Sequence, residues 1–217
     1  MATAETNWLG FLPPDTDPDV FFLVKTEAGE HVEGFERSVG AHKIFLANIS
    51  PVFKEMLFGP MKETGEVIEV KETFPEVFSS MLMFIYKPPG DDFTLKDIRC
   101  PQQLFELMTV ADKYEILNMT ALISEALGSL EISHDNLLFS ATVAKNYRPL
   151  YEDVSKRLML KCLKFITTMD TLTLISETKR NFPEATFDIL QELRNVGNET
   201  FTLPGILDLV LHLAHKF

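Results

Sequence analysis

The chain has 217 residues, 46% of them hydrophobic and 11% aromatic, which suits a domain with a sizeable buried core and rules against a disordered or collagen-like chain. Thirty-two acidic against 20 basic residues leave a net charge of −12. That balance disfavours unaided nucleic-acid binding, which needs Lys and Arg to neutralise phosphates, and it disfavours anionic membrane surfaces.

Residues 1–18 carry Pro13, Pro14 and Pro18 without hydrophobic periodicity and read as a tail. They lack the basic stretch and apolar core of a signal peptide, and no run of about 18 apolar residues appears anywhere to span a bilayer. Cys100 and Cys162 are the only cysteines and fit neither a disulfide framework nor a zinc site. Reduced thiols and a cytoplasmic or nuclear location are therefore expected, and the N-x-S/T triplets at Asn48, Asn118 and Asn198 are read as chance.

Val20-Phe21-Phe22-Leu23-Val24 is a short apolar run that predicts a strand buried on both faces. A turn around Gly29 follows, then an imperfect second strand over Val32, Phe35 and Val39. Ser50-Pro51 is a cap followed by proline at the first helical position, opening a short helix to about Phe58. Val67-Ile68-Glu69-Val70 predicts a third strand.

Thr73 and Glu76 have capping-box spacing before a helix with Val77, Phe78, Met81, Leu82 and Ile85 on one face, closed by Pro88-Pro89-Gly90. Further stripes predict helices over Leu104–Tyr114 and Met119–Leu130, then at Leu137/Ala144 and Leu150/Phe165. A short piece at Leu172/Ile175 and two last helices, one opened by Pro183 and one carrying Leu203 to Ala214, complete the pattern. Strands come early and helices take over, so the fold class is α+β with an all-helical extension.

Catalytic and ligand motifs are missing: no phosphate loop, no dinucleotide fingerprint, no HExxH and no GxSxG. Asp15-Thr16-Asp17-Pro18-Asp19 opens like a calcium loop, but Val20 stands where the loop needs Gly and Thr26 where it needs Glu. Ser133-His134-Asp135 has triad letters, yet consecutive residues cannot take triad geometry, and a helix N-cap is the better reading. His212 and His215 lack a third ligand and suit a helix C-terminus instead. No enzyme activity, cofactor or metal is expected.

The run Gly40-Ala41-His42-Lys43-Ile44-Phe45-Leu46-Ala47-Asn48-Ile49-Ser50-Pro51-Val52-Phe53-Lys54-Glu55-Met56-Leu57 closely resembles the AHKxxLAxxSPVFxxMF segment of BTB/POZ domains. Asp19-Val20, the loop Gly59-Pro60-Met61-Lys62-Glu63-Thr64, Pro75-Glu76-Val77-Phe78 with Phe84-Ile85-Tyr86, and Ala111-Asp112-Lys113-Tyr114 continue the likeness in the family's order. Within the family the chain looks most similar to the speckle-type POZ group. Ser133, Asn136, Leu138, Ala144, Tyr147, Phe165 and Ile166 resemble, more loosely, the 3-box or BACK-type helical extension of ubiquitin-ligase adaptors. The implied organisation is a tail over 1–18, a BTB/POZ domain over 19–130 and a helical extension over 131–217.

The resemblance implies a BTB fold and a protein-interaction module that forms homodimers and, in a subset, recruits the third cullin to a ubiquitin ligase. Met61-Lys62-Glu63 fits that subset's rule of a hydrophobic residue, any residue, then Glu. Met61, Glu63, Phe58 and Leu57 are the expected cullin-binding residues, with Phe53, Leu57 and Phe58 undivided by sequence between core and groove. The alternative is an oligomerisation scaffold, transcriptional or signalling, without a cullin. Self-association is expected around Phe45 and Leu46, and a further substrate or partner protein remains unidentified. His42 is expected as a hydrogen-bonded, partly buried histidine, and Asp19 and Asp112 as caps or structural acids. The chain departs from the family in a longer stretch between Phe22 and His42, which predicts an extended first hairpin, and in a longer segment from Pro88 to Gln103. No meprin-like domain, Kelch repeat or zinc finger is expected within these 217 residues.

Overall fold

A computed structural model describes residues 17–26, 35–63, 65, 67–71, 73–87, 95, 98, 100–166, 168 and 191. The chain falls into two compact units, one of Met1–Ile98 with Gln103–Ile123 and one of Arg99–Gln102 with Ser124–Phe217. The expected turn at 27–30, the helix stop at 88–90, the stripe residues Leu172/Ile175, Phe187/Leu190/Leu193 and 203–214, and residues 1–16 lie outside the described residues. So do His212 and His215 and the start of the calcium-like run.

In the first unit, β1 (Val20–Thr26) is the central strand of a three-stranded sheet ordered β2-β1-β3. It pairs antiparallel with β2 (Phe35–Ala41) over seven residue pairs, from Val20↔Ala41 to Thr26↔Phe35. It pairs parallel with β3 (Val67–Lys71), whose Ile68 and Val70 point inward. The apolar run in β1 does not mark burial on both faces. Val20, Phe22 and Val24 are buried, whereas Phe21, Leu23 and Lys25 are only half-buried. The outward side carries charge instead: Lys25 lies 3.0 Å from Glu69 and 3.6 Å from Glu36. Hydrogen bonding to Glu69 raises the Lys25 pKa, and the same bond lowers that of Glu69.

Between β2 and β3 stand α1 (Lys43–Ile49) and α2 (Pro51–Phe58), and after β3 comes α3 (Pro75–Tyr86). The inner sheet face meets α2 and α3 through aromatic rings. Phe22 sits 5.7 Å from Phe53 and 5.2 Å from Phe78, and Phe53 stacks on Tyr114 at 4.2 Å. Offset and edge contacts of this kind add to the area that the rings bury. Leu104, Phe105, Leu107 and Met108 of α4 (Pro101–Lys113) and Met119 and Ile123 of α5 (Leu117–Ser129) are buried as well.

The expected capping box before α3 does not form. Pro75 occupies the first helical position, so Phe74 is the N-cap and Thr73 lies one residue too early; its hydroxyl turns to the Lys71 carbonyl. In the second unit, α6 (Leu137–Tyr147) packs on α7 (Glu152–Ile166) through Leu137, Ala141, Leu158, Cys162 and Ile166. Asn136, not Ser133, His134 or Asp135, is the α6 N-cap. Its carboxamide faces backwards, accepting from the Ser133 amide and donating to the Glu131 carbonyl. Lys161 closes the end of α5 by donating to the carbonyls of Gly128 and Leu130.

Candidate partner-binding surface

The surface begins with the capping of α2. The Ser50 hydroxyl accepts from the Phe53 amide at 3.0 Å and donates to the Tyr114 carbonyl at 2.6 Å. This fixes both the start of α2 and its attachment to the turn after α4. With its N-terminus held, α2 turns Phe53 and Leu57 inward and ends on Phe58. Gly59 then bends the chain tightly against the last helical turn. A Cβ there would lie 2.4 Å from the Glu55 carbonyl oxygen, so no larger residue fits without a shift.

Gly59-Pro60-Met61-Lys62 is a β-turn closed by the Lys62 amide on the Gly59 carbonyl at 3.2 Å, with Pro60 at its favoured second position. The Glu63 amide donates to the Met56 carbonyl at 2.9 Å and ties the turn back to α2. Met61 therefore stands at the apex of an anchored turn, 94% exposed. Phe58 is 54% exposed, and Lys62 and Glu63 are exposed too. Leu57, grouped with them from sequence, is only 4% exposed and belongs to the core under the turn. Phe53 is fully buried. The turn can offer a docking partner an exposed, adaptable thioether, an aromatic ring and a carboxylate within six consecutive residues.

A second apolar surface was only half visible from sequence. On α1, Ile44, Phe45 and Ile49 are exposed along one side, while Leu46, expected among them, is fully buried on the other. Phe45 is braced from below: its ring lies 5.1 Å from Tyr86 and 6.0 Å from His42. The His42 amide donates to the Tyr86 hydroxyl at 2.5 Å, and its Nδ1 lies 3.0 Å from the same oxygen. His42 is thus satisfied at one ring nitrogen only; Nε2 is buried without a hydrogen-bond partner among the described residues. Burial, aided by the charge of Asp19, pushes the Tyr86 hydroxyl up to about 12 despite the His42 amide. Asp19 accepts from the Lys43 amide at 2.7 Å and so caps α1 from the sheet. Asp112 acts through its carbonyl, which accepts from Glu115.

Ser133, His134 and Asp135 form the turn into α6, with the His134 ring against Phe165 at 5.1 Å. Among the described residues, no group of three His, Cys, Asp or Glu side chains is placed to hold a metal ion. Cys100 and Cys162 are both free thiols, and burial pushes Cys162 up to about 12. No helix among the described residues is long and apolar enough to cross a membrane.

Comparison with known proteins agrees with this architecture. The chain is 26% identical over 163 residues to BTB/POZ and MATH domain-containing protein 3 of Arabidopsis thaliana, an alignment covering 71% of this chain and 38% of that protein. It is 33% identical over 88 residues to TD and POZ domain-containing protein 1 of Mus musculus, covering 40% of this chain and 23% of the relative. A third, BTB/POZ and MATH domain-containing protein 5 of Arabidopsis thaliana, is 26% identical over 150 residues, 64% of this chain and 34% of its own length. The chain thus spans well under half the length of these curated relatives. The family model for the BTB/POZ domain matches residues 15–130, more than half of the chain, and takes in the sheet, α1 to α5 and both exposed apolar surfaces. The chain therefore belongs to the BTB/POZ domain family, and its domain is a protein-interaction module.

Proposed function

We propose that this chain is a non-catalytic adaptor that docks the third cullin of a ubiquitin ligase through Met61, Phe58 and Glu63 and brings it to a separately bound partner protein. The observation that carries the reading is Met61, almost wholly exposed at the apex of a turn that two backbone hydrogen bonds hold against α2. Met61 is the most exposed of the large hydrophobic side chains among the described residues, and the turn that carries it is fixed. A pocket on a partner would bury that side chain. Glu63 beside it can form a charge-assisted bond at the solvated rim and set the register. On this reading residues 131–217 form a 3-box or BACK-like extension, of which α6 and α7 are one helical pair. Two free cysteines fit a cytoplasmic or nuclear setting.

Calorimetric titration with the third cullin, against another cullin as control, tests the proposal. Truncating a hot-spot anchor costs about 2 kcal/mol or more, so Met61→Ala is expected to weaken binding about thirtyfold. Met61→Asp would bury an unpaired charge and abolish it. Glu63→Ala loses about fivefold or less, as befits a rim charge worth about 0–1 kcal/mol. None of the three changes should lower the melting temperature, because all act on exposed side chains. Melting of Met61→Asp would instead make the residue structural. A wild-type chain without affinity for the third cullin would leave the second reading, a self-associating scaffold built on the exposed side of α1, as the function.

A further inference from the structure

We infer that Met61 is a site of reversible oxidation by peroxides, and that its sulfoxide switches off docking through this turn; the second half of the inference rests on the recruitment reading above. Exposure separates Met61 from the other described methionines. Met81, Met108, Met119 and Met159 are buried, and Met56 and Met83 are half-buried, whereas Met61 leaves its thioether open to solvent on nearly every side. Thioether oxidation needs direct approach of the oxidant to sulfur, so among these residues Met61 reacts first.

The step is self-contained. A lone pair on Sδ attacks one oxygen of hydrogen peroxide, the O–O bond breaks and an S–O bond forms. Sulfur loses two electrons to the peroxide, and the other oxygen departs as hydroxide that takes up the proton lost by the attacked oxygen and leaves as water. Since the turn is held by the backbone bonds of Lys62 and Glu63, the side chain changes while its presentation does not. The apolar tip becomes a polar, chiral sulfoxide that a dry pocket cannot hydrate. The chemistry also couples in reverse: a partner that covers Met61 protects it from oxidation.

The test treats the full chain with graded hydrogen peroxide. Peptide mass spectrometry reads the oxidation of each methionine, and titration with the third cullin reads affinity. Met61 is expected to oxidise at least tenfold faster than any other described methionine, and more slowly once cullin is bound. Affinity is expected to fall at least tenfold in step with Met61 oxidation and to return after treatment with both methionine sulfoxide reductases. A Met61→Leu chain, whatever its starting affinity, should show no change on peroxide treatment, which separates Met61 from Cys100 and the remaining methionines. Oxidation of Met61 no faster than that of the buried methionines overturns the site. Full binding at complete Met61 oxidation, or an equal peroxide loss in Met61→Leu, overturns the switch alone. Absence of cullin binding before any oxidation overturns the recruitment reading and the switch with it.

Discussion

Tyr86 does two jobs, one with its hydroxyl and one with its ring. It satisfies the His42 amide, and its ring supports Phe45 on the exposed side of α1. Its cost is a buried phenol, and Tyr114, stacked on Phe53, is buried likewise; burial pushes each up to about 12 from an ordinary value of 10.0. The sign follows from proton counting. Below pH 10 both states hold the two phenolic protons, and the stability is fully present. As pH rises from about 10 towards 12, the unfolded chain releases protons that the native fold retains, so stability falls with pH. Phenolate absorbance and loss of helical circular dichroism should therefore rise together in that window. Ionisation of both tyrosines near pH 10 in a fully folded chain would contradict the burial argument. Tyr86→Phe should raise the midpoint of alkaline unfolding relative to neutral stability, while losing about 1–3 kcal/mol at pH 7 because the buried His42 amide loses its acceptor. No local pattern reveals this pairing, since His42 and Tyr86 are 44 residues apart. Sequence could suggest that His42 is partly buried but could not name its partner.

The helix ends explain the motifs better than the helix faces do. The Ala111-Asp112-Lys113-Tyr114 run matters because it closes α4. The Ile116 amide donates to the Ala111 carbonyl at 2.8 Å and the Glu115 amide to the Asp112 carbonyl at 2.9 Å, the paired bonds of a Schellman motif, with buried Ile116 and Ala111 supplying its apolar contact. The residue that must turn left-handed is Glu115, at φ 51°, where glycine is the usual occupant. A side chain there costs about 1 kcal/mol of local strain. Glu115→Gly is accordingly expected to stabilise the chain by about 0.5–1 kcal/mol in urea unfolding with an unchanged denaturant slope, and a destabilised variant would show that the glutamate side chain contributes more than its backbone costs. Proline at the first helical position, Pro51, made α2 readable, whereas α3 was read from its apolar stripe and a capping box that Pro75, in the same position there, displaces by fixing Phe74 at the N-cap. Helix α1 left no readable period, because seven residues make only two turns and bury one side chain, Leu46. The turn at Gly59-Pro60 was legible as an interruption, yet only the family resemblance singled out Met61 within it. Likewise, sequence placed Leu57 and Phe58 together, and the helical rotation between neighbours, about 100°, sends one to the core and the other to solvent.

The exposed sides of α1 and of the Met61 turn lie on one strongly acidic chain, and that charge bears on how copies of it meet. If the exposed side of α1 mediates the self-association expected from sequence, two copies bring together twice −12, or −24. Like-charge repulsion over such a surface opposes assembly at low ionic strength and weakens as the Debye length contracts from about 30 Å at 0.01 M salt to about 8 Å at 0.15 M. Burial of Ile44, Phe45 and Ile49 is by contrast nearly indifferent to salt in that range. Self-association should therefore tighten as salt rises, the reverse of an interface held by opposite charges. Ile44 is the position at which to cut it, because it is 68% exposed, whereas Phe45 packs its ring on Tyr86 and His42. Light scattering at micromolar concentration should show the wild type above 24.7 kDa, increasingly so with salt, and Ile44→Asp at 24.7 kDa throughout with an unaltered circular dichroism spectrum. An assembly that dissolves as salt is added would point to ionic contacts elsewhere. An Ile44→Asp chain that still assembles would remove α1 from the interface. Because Met61 projects from the far end of α2 and not from α1, the same Ile44→Asp chain should keep its affinity for a cullin, so the two surfaces can be separated by a single substitution.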